Sequence, residues 1–478
     1  MMNMQTVWPD CIKISGVMNK RYTTGSHLNI PLLGETDILV VGAGSAGCLA
    51  ALAAAKHNRY KVTLVERYGF PGGSSTQMLD TFYGFFNPGN APRKIVGGLP
   101  DSIVNELNQT GDIFLRPNSY GAGTGVNYNP ERLKLVWDRM LVKAGVKVYL
   151  HTSLVDVAQT DGCINCILSH KTGFYNLRAK RVIDASGDAD FCALTDIPYE
   201  RAGEHEPAQS MTTTFRMCNV DLNRFEAAGG KKMLQQKMKS ALETGAYDLP
   251  RAAGSAHEMC QPGCIATVAV KVTGKSALDI QELTEAEMEG RRQAFIYEDF
   301  FVREIPGYEN SKIIGLSHQI GVRETRRVYG EYRLTKKDCL SGAIPGDSIF
   351  LCGAPIEDHR AGRNGEEETV WEYIPGNGVY GVPYHTLVPK NSDRVWVAGR
   401  CFSATHDAHA SCRSMAQTMC MGQAAGMAAA LSLQYDTSAS AVSVDLLQKA
   451  LRELGTVLEV PERIADTSRN GWMNNISK

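Results

Sequence analysis

Asp37 to Glu66 reads DILVVGAGSAGCLAALAAAKHNRYKVTLVE, and it limits what this 478-residue chain can fold into more than any other stretch. A β-branched apolar run, Ile38-Leu39-Val40-Val41, meets Gly42-Ala43-Gly44-Ser45-Ala46-Gly47. An Ala-rich helical run follows to about His57, and a second β-type run, Val62-Thr63-Leu64-Val65, ends at Glu66. Each part suits a bound dinucleotide. Gly42 permits a tight turn, Gly44 lets backbone approach a pyrophosphate, and Gly47 lets the helix pack closely on the sheet. Free N–H groups at the helix start, Ser45 and Ala46 among them, face the phosphates. Glu66 stands where a carboxylate can accept bonds from ribose hydroxyls. The uncharged run from Ile38 to Ala55 is too rich in glycine and alanine to be read as a membrane span.

At this length two domains are the default. Fifty basic residues against 51 acidic ones give a formal net charge of −1. That removes any global electrostatic reason to expect nucleic acid or an anionic membrane as partner. The N-terminal MMNMQTVWPDCIKIS has neither a basic nor an apolar leader region, so no signal peptide is expected. Thirteen scattered cysteines, an odd number, read as reduced thiols of a cytoplasmic protein. Cys163 and Cys166 form a C-x-x-C, but strand alternation points them to opposite faces, and no metal site is expected.

After Glu66 comes Arg67-Tyr68-Gly69-Phe70-Pro71-Gly72-Gly73-Ser74-Ser75-Thr76. With this glycine pair following the second strand, the chain resembles the FAD-dependent oxidoreductases with a glutathione-reductase-type FAD domain, relatives of the succinate dehydrogenase and fumarate reductase flavoproteins. The resemblance implies that Gly72, Gly73, Ser74 and Ser75 run along the pyrophosphate toward the flavin. Arg181-Val182-Ile183-Asp184-Ala185-Ser186-Gly187-Asp188 resembles the strand end of the same superfamily that lies beside the cofactor. Between the two, alternating stretches from Ser153 to Leu177 with breaks at Asp161-Gly162 and Thr172-Gly173 predict an antiparallel meander. The resemblance matches Val155 to a residue whose backbone contacts adenine.

Toward the C-terminus, Val395-Trp396-Val397-Ala398-Gly399-Arg400 reads as a buried strand opening into a turn. A long small-residue helix follows, with Met415 and Ala416 at its start. In the superfamily that helix aims its N-terminus at the flavin O2/N1 edge, where a partial positive charge stabilises the reduced ring. Gly321-Val322-Arg323-Glu324-Thr325-Arg326-Arg327, Asp358-His359 and Tyr380 to Pro389 resemble segments of the branch named simply FAD-dependent oxidoreductase. Where many members of that branch carry arginine, this chain has His385.

These readings imply an α/β fold: a Rossmann-like FAD-binding domain of parallel sheet plus antiparallel meander, with an inserted α+β substrate domain. The expected division is an arm over 1–35, FAD domain over 36–80, 128–208 and 386–440, substrate domain over 81–127 and 209–385, and a C-terminal helix and tail over 441–478. Within these, a helix is expected from Pro130 to Lys143, and another from a Thr284/Glu287 capping box to Arg303. A flavoenzyme needs an acid or base near the flavin. The candidates are His406 first, then His359 and His385, with Arg413 and Arg323 as binders of a carboxylate or oxyanion. Some relatives link flavin to an early histidine; none occurs here between Gly73 and His151, so the FAD is expected to be noncovalent.

The leading expectation is hydride transfer between FAD and a small polar organic substrate, with a separate electron acceptor or donor, no nucleic acid, no membrane, and a homo-oligomer left open. Two alternatives stand beside it: an electron-transfer subunit of a larger redox complex, and a non-redox adenine-dinucleotide-binding biosynthetic protein.

Overall fold

The computed structural model describes residues 12–13, 29–56, 58–160, 162–252, 254–361, 367–376 and 378–476. Most of the arm expected over 1–35 lies outside them, as does Asp161 of the first meander turn.

The opening motif folds as strand Leu32–Val41, helix Ser45–Ala55 and parallel strand Val62–Val65. Every residue of that helix is buried, so its lack of a polar face is what the position demands. Lys147–Tyr149 extends the parallel sheet beyond Val62–Val65, and Gly173–Asp184 extends it on the other side of Leu32–Val41.

The 12-residue strand Gly173–Asp184 joins two kinds of sheet. Its first part closes a hairpin with Cys163–His170, which pairs in turn with Ser153–Thr160. Its last three residues, Val182 to Asp184, pair parallel with Val395–Val397. The third strand of the meander is therefore the N-terminal part of a strand whose C-terminal part delivers Ala185-Ser186-Gly187 to the sheet's carboxyl edge. Cys166 is buried and Cys163 half-buried, and among the described residues no group of His, Cys, Asp and Glu is placed to hold a metal.

Helix Met415–Tyr435 crosses the glycine-loop helix at very close range. A Cβ on Gly422 would stand 1.9 Å from the Ala46 carbonyl oxygen, and one on Gly426 2.1 Å from that of Ala50. The small-residue character of both helices is a packing requirement.

A second, antiparallel sheet runs Ser255–Glu258, Ile265–Val268, Thr214–Cys218, Lys312–Leu316. The 25-residue helix Ile280–Glu304 covers it, with Tyr297, Phe300 and Phe301 in one apolar cluster with Phe215. This helix starts one turn earlier than its sequence suggests. Asp279 is the cap, accepting from the Glu282 amide at 2.9 Å, and the Thr284 hydroxyl, already inside the helix, donates back to the Ile280 carbonyl. The Glu287 carboxylate leaves the helix to accept from the Ile320 amide at 2.7 Å. Pro130–Lys143 is helical, capped by the Asn129 side chain.

The apolar cores divide the chain differently from the expected boundaries. Phe82, Phe85 and Phe86 from 81–127, and Phe350, Tyr380 and Tyr384 from the far end of 209–385, are buried in the same cluster as the glycine-loop helix. The separate second core is built from residues between Met211 and Val322. Among the described residues no helix is long and apolar enough to cross a membrane.

Candidate functional site

Gly42 leaves its strand with φ +90°, and its amide donates to the Val65 carbonyl at 2.9 Å. The buried Glu66 carboxylate ties this turn to the next strand: Oε2 accepts from the Ala43 amide at 2.7 Å and Oε1 from the Tyr68 amide at 2.9 Å. Each oxygen keeps a lone pair for a further donor. Burial pushes the Glu66 carboxyl above its ordinary range, only partly opposed by those two amides. The Gly72 amide donates to Ala43 at 2.6 Å, and a Cβ on Gly73 would stand 2.8 Å from the Gly44 Cα. Two glycine loops thus lie against each other, with no side-chain cap on the helix that begins at Ser45. Its first amides are left to a ligand.

Opposite them, Asp188 accepts from Arg400 Nη2 at 2.7 Å and from the Thr325 hydroxyl at 2.8 Å, with Arg67 3.8 Å away. These cations hold the Asp188 carboxyl below its usual range despite its burial. Arg400 Nη1 is buried and has no partner. A glycine cradle, an uncapped helix start and an orphaned guanidinium N–H are the donors that an anionic dinucleotide needs. The residues present therefore fit FAD.

The cradle opens into a cavity of about 1240 Å³, larger than a typical pocket for a single small ligand. Most of the cofactor residues named from the sequence lie on its wall, including Ser45, Glu66, Arg67, Val155, Ser186 and Met415. Gly47, Gly72, Ser75, Asp188 and Ala416 stand behind it and shape it. Gly47 presses on the Gly42 carbonyl, the Ser75 hydroxyl donates to the Gly72 carbonyl at 2.8 Å, and the Ala416 amide donates to Tyr83 at 3.1 Å.

Beyond the cradle, helix Met415–Tyr435 begins at Ser414 without a side-chain cap, and Ser414, Met415 and Thr418 line the cavity. Arg413, just before it, donates through Nη2 to the Gln209 side chain and the Glu357 carbonyl, both at 3.0 Å. His359 Nε2 lies 3.1 Å from Glu357 Oε1, and Arg323 donates to the Ser210 carbonyl. Arg413, Arg323, His359 and Glu357 share the cavity wall. Burial would raise the Glu357 carboxyl, and His359 with the two arginines holds it below its ordinary range instead.

The structure does not place His406 on that wall. Both ring nitrogens are engaged by carboxylates, Nδ1 at 3.2 Å from Glu324 and Nε2 at 3.1 Å from Asp358. Burial opposes protonation, but the two carboxylates outweigh it and raise the ring to about 10. A buried imidazolium with both N–H groups committed has no proton to exchange with a ligand. It positions instead: Glu324 also accepts from Arg327 and from the Gln209 amide, and Gln209 carries Arg413. His385 is also outside the cavity, with Nε2 3.4 Å from the Ser440 carbonyl. His409 is a buried neutral ring, lowered to about 3 chiefly by burial, that holds the Arg400 carbonyl at 2.9 Å.

Sequence reading missed another pair on the wall. His257 Nε2 lies 2.8 Å from Asp80 Oδ1, and both residues are buried. A lone histidine in a short strand and a lone aspartate in a loop carry no motif; only the packing of the second sheet's edge strand against that loop brings them together.

A family model described as FAD dependent oxidoreductase matches residues 37–451. No curated protein matches the chain. Solved structures with a similar fold include p-nitrophenol 4-monooxygenase from Pseudomonas putida, at 11% identity over 90% of this chain and 91% of that one, TM-score 0.49. A geranylgeranyl bacteriochlorophyll reductase-like protein from Thermoplasma acidophilum is 14% identical over 90% and 94%, TM-score 0.42. A flavoprotein/dehydrogenase from Cytophaga hutchinsonii is 13% identical over 87% and 83%, TM-score 0.42.

Proposed function

Because the chain belongs to the FAD-dependent oxidoreductase family, with FAD as its cofactor, we propose that it is a dehydrogenase or reductase acting on a small polar organic substrate. The observation that carries this reading is the continuity of one cavity from the glycine cradle, past an uncapped helix start, to a wall bearing Arg323, His359 and Arg413. When bound, FAD supplies the hydride acceptor or donor, a chemistry that belongs to its isoalloxazine.

The chain's own residues bind and orient. Gly44, Gly73 and the amides of Ser45 and Ala46 would hold the pyrophosphate, Glu66 the ribose, and Arg400 would add positive charge beside the phosphates. The first turn of Met415–Tyr435 directs partial positive charge at the redox end of the cavity, which favours negative charge developing there. Arg413 and Arg323 attract an anionic or strongly polar substrate group, and His359, held by Glu357 at Nε2 and by the Thr369 hydroxyl at Nδ1, is the imidazole that shares their wall. The buried Asp358–His406–Glu324–Arg327 network keeps Gln209, and through it Arg413, in place.

Family membership sets aside a non-redox role, and no observation favours an electron-transfer subunit. Anaerobic mixing of the yellow protein with candidate hydroxy acids, sugars and enoates, or of the reduced protein with oxidised counterparts, tests the reading. Flavin whose oxidation state no organic molecule alters would overturn it.

A further inference from the structure

Three exposed aromatic side chains from segments far apart in sequence meet on the cavity wall: Tyr120, 58% exposed, with Trp371 and Tyr373 at 37% and 47%. Single exposed rings need no explanation, but three gathered on one cavity do. They are held in place. The Tyr373 hydroxyl accepts from the Gly121 amide at 2.8 Å, and Trp371 stacks beside Tyr373 with ring centroids 6.5 Å apart and planes 19° from parallel. Gly121 has φ +56°, and a Cβ there would stand 3.4 Å from the benzo edge of the indole, so its loop lies along that edge. Lys231, from the helix Gly230–Thr244, donates to the Tyr120 hydroxyl at 3.0 Å.

Strand register places these rings relative to the charged wall. Ile356–Ala361 and Glu367–Glu372 form an antiparallel pair in which His359 faces Thr369 and Glu357 faces Trp371. Opposed residues share a face of a sheet, as do residues two apart on one strand. His359, Thr369, Glu357, Trp371 and, just past the strand, Tyr373 accordingly all line the cavity. The Glu357 carbonyl holds Arg413. One face thus runs from the arginines and His359 to the aromatic pair. At about 3.3 Å per residue, Trp371 stands roughly 7 Å along it from the His359–Thr369 pair and Tyr373 roughly 13 Å, a span that two linked six-membered sugar rings fill.

A ring face that stays open to water suits a ligand with an apolar face and a polar rim. A pyranose is such a ligand: its C–H groups pack on an aromatic face while its hydroxyls stay hydrated or meet polar side chains. Asn118, Lys231 and Gln235 line the same part of the cavity and offer those hydrogen bonds. A wholly aromatic ligand would leave its outer face in water at this open position and forgo much of the burial that drives its binding. We propose that the substrate is a small glycoside, one pyranose ring stacked on Trp371 and Tyr373 and the remainder directed at Arg413, Arg323 and His359. This rests on the reading of the cavity as a substrate site and adds the substrate class to it.

The test uses the FAD-loaded protein with cellobiose, maltose and lactose, with sorbitol as an open-chain polyol, and with 3-phenylpropionate as an aromatic acid. Binding is read by calorimetry and tryptophan fluorescence, and flavin content and oxidation state are recorded in every sample. At least one disaccharide should bind and alter the fluorescence, and sorbitol should do neither. Trp371→Ala should weaken that disaccharide roughly 3- to 10-fold, the scale of one aromatic stack, and Tyr373→Ala should weaken it too. Trp371→Phe should recover most of the affinity and lose the fluorescence change. All three replace exposed side chains, so flavin content should stay at the level of the parent protein.

Binding of no disaccharide, an affinity unchanged in Trp371→Ala, or dependence on Trp371 shown by 3-phenylpropionate alone would overturn the proposal. A disaccharide that binds through Trp371 while no organic molecule alters the flavin would instead sink the redox reading and leave the sugar subsite standing.

Discussion

The His257 ring and the Asp80 carboxylate meet at 2.8 Å across 177 residues of sequence. One sits on the edge strand of the second sheet, the other in the loop after the Gly72-Gly73 turn, so this contact ties that sheet to that loop at the cavity wall. Burial would push the Asp80 carboxyl up, but His257, Arg216 and Arg116 more than offset it and hold the group ionised.

Removing His257 should therefore be costly even without substrate. His257→Phe leaves the Asp80 charge buried beside a ring that cannot donate, and loss of about 3–5 kcal/mol of unfolding free energy is expected. Urea unfolding of the apo- and FAD-loaded protein measures it; a loss below 1 kcal/mol would show that the pair contributes nothing to the join.

Glu66 should govern FAD affinity. Glu66→Gln gives up a charge-assisted bond to the Ala43 or Tyr68 amide and weakens any bond from ribose, worth about 1.5–3 kcal/mol. That corresponds to a rise in the FAD Kd of roughly 10- to 150-fold, readable by ultrafiltration of the yellow protein.

Gly426→Val should separate the two buried helices. Even the Cβ would stand 2.1 Å from the Ala50 carbonyl, and the listeners to that shift are the cradle residues at the other end of the same helix. Overpacking of this kind costs about 1–3 kcal/mol or more, so a lower Tm together with weaker FAD retention is expected. An unchanged Tm would mean that the helices are not packed at this distance.

His406 supplies a pH signature. Its ring titrates near 6.5 when unfolded and at about 10 when folded, so its contribution to stability is complete below pH 6.5 and is lost as the pH rises through 10. Glu324 moves the other way, from 4.5 to about 2, and its contribution is present above pH 4.5 and is lost as the pH falls through 2. His406→Gln should cost about 3–5 kcal/mol between these limits, near pH 5 to 6, with the gap narrowing toward pH 10. A gap of equal size at both pH values would rule out the doubly bridged imidazolium.

Flavin attachment is checked most simply. Acid precipitation should release all of the yellow colour into the supernatant, and colour left in the pellet would show a covalent bond.

The elements that could be read from sequence were those whose chemistry is local. A strand, a glycine turn, a small-residue helix and an acid follow one another within Asp37 to Glu66, and the steric needs of each are visible in its own residues. The meander turns at Gly162 and Gly173 were legible for the same reason, since both positions take positive φ. The helix over Ile280–Glu304 was legible in kind, but its start was not, because Asp279 and Thr284 are both competent caps. In the fold Asp279 caps, and Glu287 accepts from the Ile320 amide instead of closing a box with Thr284.

The candidate histidines show where that legibility stopped. His406 follows the Gly399 turn by only a few residues, and proximity in sequence made it the first choice for proton chemistry. Folding surrounds it with Glu324 and Asp358, from two segments far away in the chain, and commits both its nitrogens. His359 and His257 reach the cavity wall from other strands.

By itself, then, the chain's order of residues determined the dinucleotide fold, because close backbone approach and helix-start amides are properties of contiguous residues. Only the tertiary structure decided which charged groups face a ligand. Whether a carboxylate or imidazole is satisfied, buried or left with an open valence depends on partners brought from 48 to 177 residues away.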